Sequence, residues 1–134
     1  MVTEKVALQI AVIVACIVPV SGGAAGVVFG PGVVGDASGW SGDADSHFRY
    51  LSGLLLGIGL SYLLAVRGIE RHRTRFLLLG GIIVVGGLAR LASLVVVGAP
   101  STVMMAALIM ELVVTPVLTL WQGRVARQAA LEHS

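Results

Sequence analysis

Charge is scarce in this chain. Only 12% of its 134 residues are Asp, Glu, Lys or Arg, about half the share of an average soluble domain, too little ionic surface to keep a globular fold in water. Aromatic residues make up only 5%, which points the same way, because closely packed membrane helices use small residues that a soluble helix would resist. The single cysteine, Cys16, excludes an internal disulfide. Lying inside an apolar run, it behaves as a small hydrophobe. The three histidines, His47, His72 and His133, are far apart. The sequence offers no metal-ligand cluster, nucleophile elbow, phosphate loop or dinucleotide fingerprint, so no metal or other cofactor is expected.

What the chain has instead is apolar length: 57% hydrophobic residues, 18 glycines and a mean hydropathy of +0.97. Measured against the roughly 20 residues needed to cross a bilayer, four stretches qualify: Val6 to Phe29, Tyr50 to Val66, Phe76 to Gly98 and Thr102 to Trp121. The second is the shortest. It gains the needed length if its helix starts near Ser46, capped by Asp45 or Ser46, giving spans of about 6–29, 48–66, 76–98 and 102–121 followed by a tail over 122–134. Lipid cannot hydrogen-bond the backbone, so each span is expected to be an α-helix, and the alternation that a membrane β-barrel requires is missing. The fold class that follows is an all-α membrane protein, a bundle of four transmembrane helices in a single domain.

The basic residues orient that bundle. Arg67, Arg71, Arg73 and Arg75 fall in one short connection, and Arg124 and Arg127 follow the fourth span, against Arg49 alone on the opposite side. Positive charge marks the cytoplasmic side, so both termini are expected there, with the chain a multi-pass protein of the cell inner membrane. The connection GPGVVGDASGWSGDADSHF, with Asp36, Asp43 and Asp45, then faces outward as a turn-rich link. Residues 98–101 close a tight hairpin between spans three and four, and Trp121 suits an interfacial anchor. A cleaved signal peptide is the other reading of the first span, but its apolar character continues to Phe29.

Small residues recur at four-residue spacing as Gly22, Gly26 and Gly30, and as Gly53, Gly57 and Ser61. Such faces let helices approach closely, either inside the bundle or across a dimer. Pro19 should kink the first span or open its backbone.

Two ionisable residues lie at membrane depth, where charge is costly and is usually paired or functional. Arg90 is eight residues before Gly98 and Glu111 nine after Thr102, which places both about 12 to 14 Å from the hairpin end. Equal depth on antiparallel neighbours predicts a bidentate salt bridge. It is either a clasp that fixes hairpin register or a polar centre that binds a ligand or moves a proton. Ser93 and Thr115 share helical faces with Arg90 and Glu111. Pro116 should free a backbone carbonyl one turn earlier, near Glu111 or Leu112.

A second constellation, His47, Arg49 and Tyr50, opens the second span. It reads as a set of interfacial anchors or as an outward-facing contact for an anion or headgroup. The run RGIERHRTR invites a phosphate or nucleic-acid reading, but its place between two spans makes topology and attraction to anionic lipid the better account. Glu70 is expected to pair locally with Arg73 or Arg67.

Taken together, LQIAVIVACIVPVSGGAAGVVFGPGVVG, SHFRYLSGLLLGIGL, GGLARLASLVVVGAP and ELVVTPVLTLWQ resemble the bacterial membrane family known as domain of unknown function 4345. The resemblance covers nearly the whole chain and implies a compact four-helix membrane protein. It implies that Phe48 and Arg49 open the second helix, that Arg90 marks the third, and that Glu111 and Pro116 mark the fourth. It supplies no activity.

Three functions are compatible with these residues. The first is a small membrane protein that binds a ligand or lipid at the Arg90–Glu111 centre, or serves as an accessory subunit. The second is a proton-coupled transporter resembling the small multidrug exporters. Its carboxylate would need to be unpaired, and Arg90 at equal depth opposes that. The third, a membrane enzyme using Glu111 or His47, lacks a second catalytic group at convincing spacing, so enzymatic activity is not the expectation. The ligand-binding candidates are Arg90, Glu111, Arg49, His47, Tyr50, Ser93 and Thr115. The expected partners are membrane lipids and either a second copy, forming a homodimer, or a larger membrane protein, with no nucleic acid.

Overall fold

The computed structural model describes residues 2–36 and 38–132; His133 lies outside the described residues. The first helix, α1 (Val2–Phe29), leads into a 3-10 turn over Gly30–Val33. It is followed by α2 (Gly42–Val66), a 3-10 turn over Ile69–Arg71, α3 (Arg73–Val97), α4 (Thr102–Ile109), a π-helical turn over Met110–Val114 and α5 (Thr115–Glu132). No strand occurs among the described residues. Four helical segments, Val2–Val33, Gly42–Val66, Arg73–Val97 and Thr102–Glu132, are long and apolar enough to cross a membrane.

The outward faces agree with that solvent. Val95, Val96 and Val97 are 79%, 83% and 82% exposed, an arrangement that water would penalise by about 25 cal/mol for each Å² of apolar surface and that lipid does not.

Contacts divide the chain into two compact units, one formed by Met1–Gln9 with Gly68–Ser134 and the other by Ile10–Arg67. In the Ile10–Arg67 unit, α1 stays helical through Pro19 and lies close against α2. A Cβ on Gly23 would come within 2.7 Å of the Leu56 amide nitrogen, one on Gly59 within 2.8 Å of Val20 Cγ2, and one on Gly26 would collide with the Ser52 hydroxyl. The packed stripe is therefore Gly23 against Leu56, Gly26 against Ser52 and Gly59 against Val20. Only part of the four-residue pattern is used inside this unit: Gly22 and Gly57 meet nothing within 4 Å, and Gly53 only a Val27 methyl at 3.9 Å. The reason is geometric. Real helix crossings alternate three- and four-residue steps to hold one face, and a strict run of fours drifts off it.

Helix α2 starts earlier than its apolar stretch suggests. Ser41, not Asp45 or Ser46, is the N-cap, its hydroxyl accepting from the Ala44 amide at 3.2 Å. Asp43 and Asp45 occupy the first turn, where the helix dipole favours carboxylates. The loop before it is correspondingly shorter and holds a local turn in which the Ser38 amide and hydroxyl donate to Asp36 at 2.9 and 3.0 Å. Those two bonds hold the Asp36 carboxyl below its ordinary value. At the far end, Gly68 takes the left-handed conformation, φ +68°, just past the last turn of α2, the position where a glycine ends a helix without a Cβ clash.

In the other unit, α3 and the α4–α5 segment run as an antiparallel hairpin joined by residues 98–101. The Ser101 hydroxyl caps α4 by accepting from the Met104 amide. The buried side chains of this unit include Leu8, Ile69, Phe76, Leu79, Leu108 and Val125, together with a fully buried Gln122. Helix α5 continues to Glu132, so residues 122–132 extend the fourth helix.

Candidate functional site

The hairpin is drawn together by glycines on one face of α3. A Cβ on Gly80 would reach 2.7 Å from Thr119 Oγ1, and one on Gly87 would reach 2.7 Å from Leu112 Cδ2 and 2.9 Å from Glu111 Cβ. Arg90 lies three residues past Gly87 on that face, so the absence of a side chain at Gly87 leaves Glu111 room to meet it. The guanidinium forms a two-pronged pair, Nε donating to Glu111 Oε2 and Nη2 to Oε1, each at 3.0 Å, while Nη1 contacts Met104 Sδ at 3.0 Å. This is the fork geometry in which arginine binds carboxylate most strongly. Side-chain exposure is 33% for Arg90 and 19% for Glu111, so the pair reaches the edge of the hairpin.

Glu111 stands on the π turn. The Thr115 amide bonds the Met110 carbonyl five residues back, and the Thr115 hydroxyl donates to that same carbonyl at 2.9 Å. Pro116, lacking an N–H, cannot serve the Leu112 carbonyl as the α pattern would require. Thr115 thus supports the turn that carries Glu111 without touching the carboxylate through its hydroxyl. Ser93 is exposed and makes no hydrogen bond among the described residues, because its position puts it round the helix from the hairpin seam. The centre is Arg90, Glu111 and Met104, and the methionine escaped sequence reasoning because a thioether carries no polar signature.

A second polar knot closes the other end of the hairpin. Arg73 Nη1 donates to the Thr119 carbonyl at 2.6 Å and to Gln122 Oε1 at 3.4 Å, and Gln122 Nε2 donates to the Ile69 carbonyl at 2.8 Å. Gly123 is bare where Arg73 lies, its missing Cβ only 2.6 Å from Arg73 Cζ. The sequence signal was present in the spacing of Thr119, Gln122 and Gly123, which share one helical face, but Arg73 is hidden among its neighbours in the basic run. Glu70 pairs with Lys5 at 3.0 Å and lies 3.9 Å from Arg71 Nε, not with Arg73, which is turned into the hairpin, nor with Arg67. Burial alone would raise the Glu70 carboxyl; its own amide, the Lys5 ammonium and the Arg71 guanidinium outweigh that and hold it below the ordinary value. Arg124 and Glu4 add an outer pair at 3.3 Å.

The remaining candidates lie in the Ile10–Arg67 unit. Arg49 is a helix clasp: Nε donates to Asp45 Oδ1 at 2.8 Å, and Nη1 donates to the Val27 and Val28 carbonyls at 2.8 and 3.1 Å, filling acceptors left open by the end of α1. Gly30, at φ +62°, makes room for it, since a Cβ there would sit 2.6 Å from Arg49 Nη2 and 2.7 Å from Asp45 Oδ2. His47 and Tyr50 are exposed, their rings 6.5 Å apart. Trp40 meets Phe48 edge to face at 5.6 Å.

Neither the curated proteins nor the solved structures yield a match to this chain. One family model does match, over residues 7–122, a stretch that includes most of each apolar helix, the Arg49 clasp and the Arg90–Glu111 pair. The chain belongs to the family described as domain of unknown function 4345.

Proposed function

We propose that this multi-pass membrane protein is a binding or accessory protein of the cell inner membrane, with both termini cytoplasmic, whose ligand or lipid engages the Arg90–Glu111 centre. The observation that carries this reading is the two-pronged pair itself. It sits on an irregular turn of the kind enriched at functional sites and remains one-third exposed on the arginine side. A pair serving only as a clasp would be best sealed between the helices. Here the guanidinium has an open edge, so an anionic or hydrogen-bond-accepting group of a ligand can be attracted without first breaking the bridge. The pairing counts against cation export, because a carboxylate already neutralised by a two-pronged arginine has little attraction left for a second cation. The basic run on the side of α3 where Arg73 and Arg75 lie supports the cytoplasmic assignment through the positive-inside rule.

The test is the thermal stability of purified wild type, Glu111→Gln and Arg90→Gln in detergent, each with and without a panel of lipids, small anions and small cations. A compound that stabilises wild type but not the folded neutral variants identifies the centre as the binding site and fixes its ligand class. If nothing stabilises wild type and the variants simply unfold, the pair is structural and the binding reading fails.

A further inference from the structure

Where α1 begins, the Ile69–Arg71 turn lies and α5 ends, a groove of about 530 Å³ opens at the surface, within the ~300–1,000 Å³ of typical ligand pockets. Its floor is apolar and small. Val125, Ala126, Ala129 and Ala130 line it from α5 and Val2 from α1, and the three alanines leave space that larger side chains would fill. Its rim is charged. Lys5 and Arg71 share one carboxylate, Glu70, at 3.0 and 3.9 Å. Among the described lining residues, two cations face one anion, which leaves a unit of positive charge unbalanced. Arg71 is 83% exposed and its side chain makes no hydrogen bond among the described residues, so its outward donors are available.

The level of the groove says what fills it. Gly123 packs on Arg73 at the start of α3, and the α5 wall begins two residues beyond. At 1.5 Å per residue, Val125 to Ala130 covers about 8 Å, close to the thickness of the polar layer that flanks the ~30 Å hydrocarbon core. An apolar floor bordered by cations at that level suits a molecule with a phosphate at one end and hydrocarbon at the other. We infer that this groove is a binding site for an anionic phospholipid, its phosphate on Arg71 and Lys5 and the start of its acyl chains on the alanine floor. The inference rests on membrane insertion and goes beyond the Arg90–Glu111 centre.

The experiment titrates the purified full chain in detergent with phosphatidylglycerol, with phosphatidylcholine of the same acyl chains, and with inorganic phosphate, reading melting temperature. Phosphatidylglycerol should stabilise wild type at lower concentration than phosphatidylcholine. Arg71→Glu should raise the half-effective phosphatidylglycerol concentration by about fivefold or more, the effect of a cation near an anionic surface. Ala130→Phe, which fills the floor without changing charge, should weaken the response to both lipids, and because Ala130 is exposed the variant should melt normally without lipid. Arg75→Glu makes the same charge change on an exposed position outside the groove and should leave the response intact. The proposal is overturned if the two lipids act alike, if inorganic phosphate matches phosphatidylglycerol, if Arg75→Glu matches Arg71→Glu, or if Ala130→Phe changes nothing.

Discussion

Exchanging the charges of Arg90 and Glu111 is the most direct probe of the hairpin. Each single change sets two like charges together at membrane depth, so the cost of removing one partner is a lower bound. Glu111→Arg sets a second cation against Arg90 in place of the two 3.0 Å bonds, and Arg90→Glu sets two carboxylates together while also removing the contact to Met104. The cost can be bounded in two ways. Breaking a buried pair by removing one partner costs about 3–5 kcal/mol, and a lone charge at the centre of a membrane helix costs about 2.5–3.5 kcal/mol on insertion scales. Both converge near 3 kcal/mol. The exposed third of Arg90 brings little water screening at that depth, so no large discount applies. For a chain of this size, ~3 kcal/mol corresponds to a fall in melting temperature of roughly 12 °C. The double exchange restores opposite charges at the same level, but carboxylate and guanidinium differ in reach and Met104 would then lie beside the shorter side chain, so recovery of at least half the loss is expected. The assay is a double-mutant cycle on melting temperature in detergent, supported by extraction yield. A coupling free energy below about 0.5 kcal/mol, or a double exchange no more stable than the weaker single, would refute the clasp.

Glycine substitutions should divide sharply by position. Gly87→Ala must push Leu112 and Glu111 apart and should cost about 1–3 kcal/mol, whereas Gly57→Ala, with nothing within 4 Å, should be neutral or stabilising by up to ~1 kcal/mol, both read by thermal unfolding. Glu70 should shape the acid limb of stability. Its carboxyl is held below its ordinary value, so its contribution is complete above that value and is lost as pH falls through the lower folded one, below about pH 4.5. Glu70→Gln should flatten that limb in a pH series of melting temperatures, and an unchanged limb would remove Glu70 from the account. Deleting Val113 should be tolerated, because the π turn can give up one residue and become α, whereas deleting Val84 from the regular helix α3 should abolish folded, extractable protein. Equal loss from both deletions would show that the turn is not absorbing an extra residue.

How much of this was legible in the sequence depends on whether a local rule sufficed. The four helices follow from apolar length and the backbone's need to satisfy itself in lipid. The meeting of Arg90 and Glu111 follows from depth counted along two helices joined by a four-residue link, because rise per residue is fixed by backbone geometry. What escaped depends on rotation rather than rise. Ser93 is on the expected side of Arg90 by sequence spacing, yet the tight glycine seam turns it outward. Gly22 satisfies a spacing rule but misses the interface by one position, and Gly23, with no pattern to recommend it, makes the closest backbone contact. Arg73 was invisible for a different reason. Four arginines in one connection all fit the topology account, and nothing local distinguishes the one that reaches Thr119 and Gln122 from the three that do not.

The π turn links these successes and failures. Along the fourth segment, Glu111 meets Arg90 and Gly87, while Thr119 meets Gly80 and Arg73, so both must face α3. Eight residues separate them, and at about 100° each an unbroken α-helix would leave Thr119 roughly 80° out of phase with Glu111. A turn that accommodates one extra residue reduces the separation to an effective seven and the offset to about 20°. The irregularity is therefore what allows the pair at one end of the hairpin and the Arg73–Gln122 knot at the other to form together. Pro116 and Thr115 hold it in place, the first by having no donor for the α partner, the second by supplying two donors to Met110.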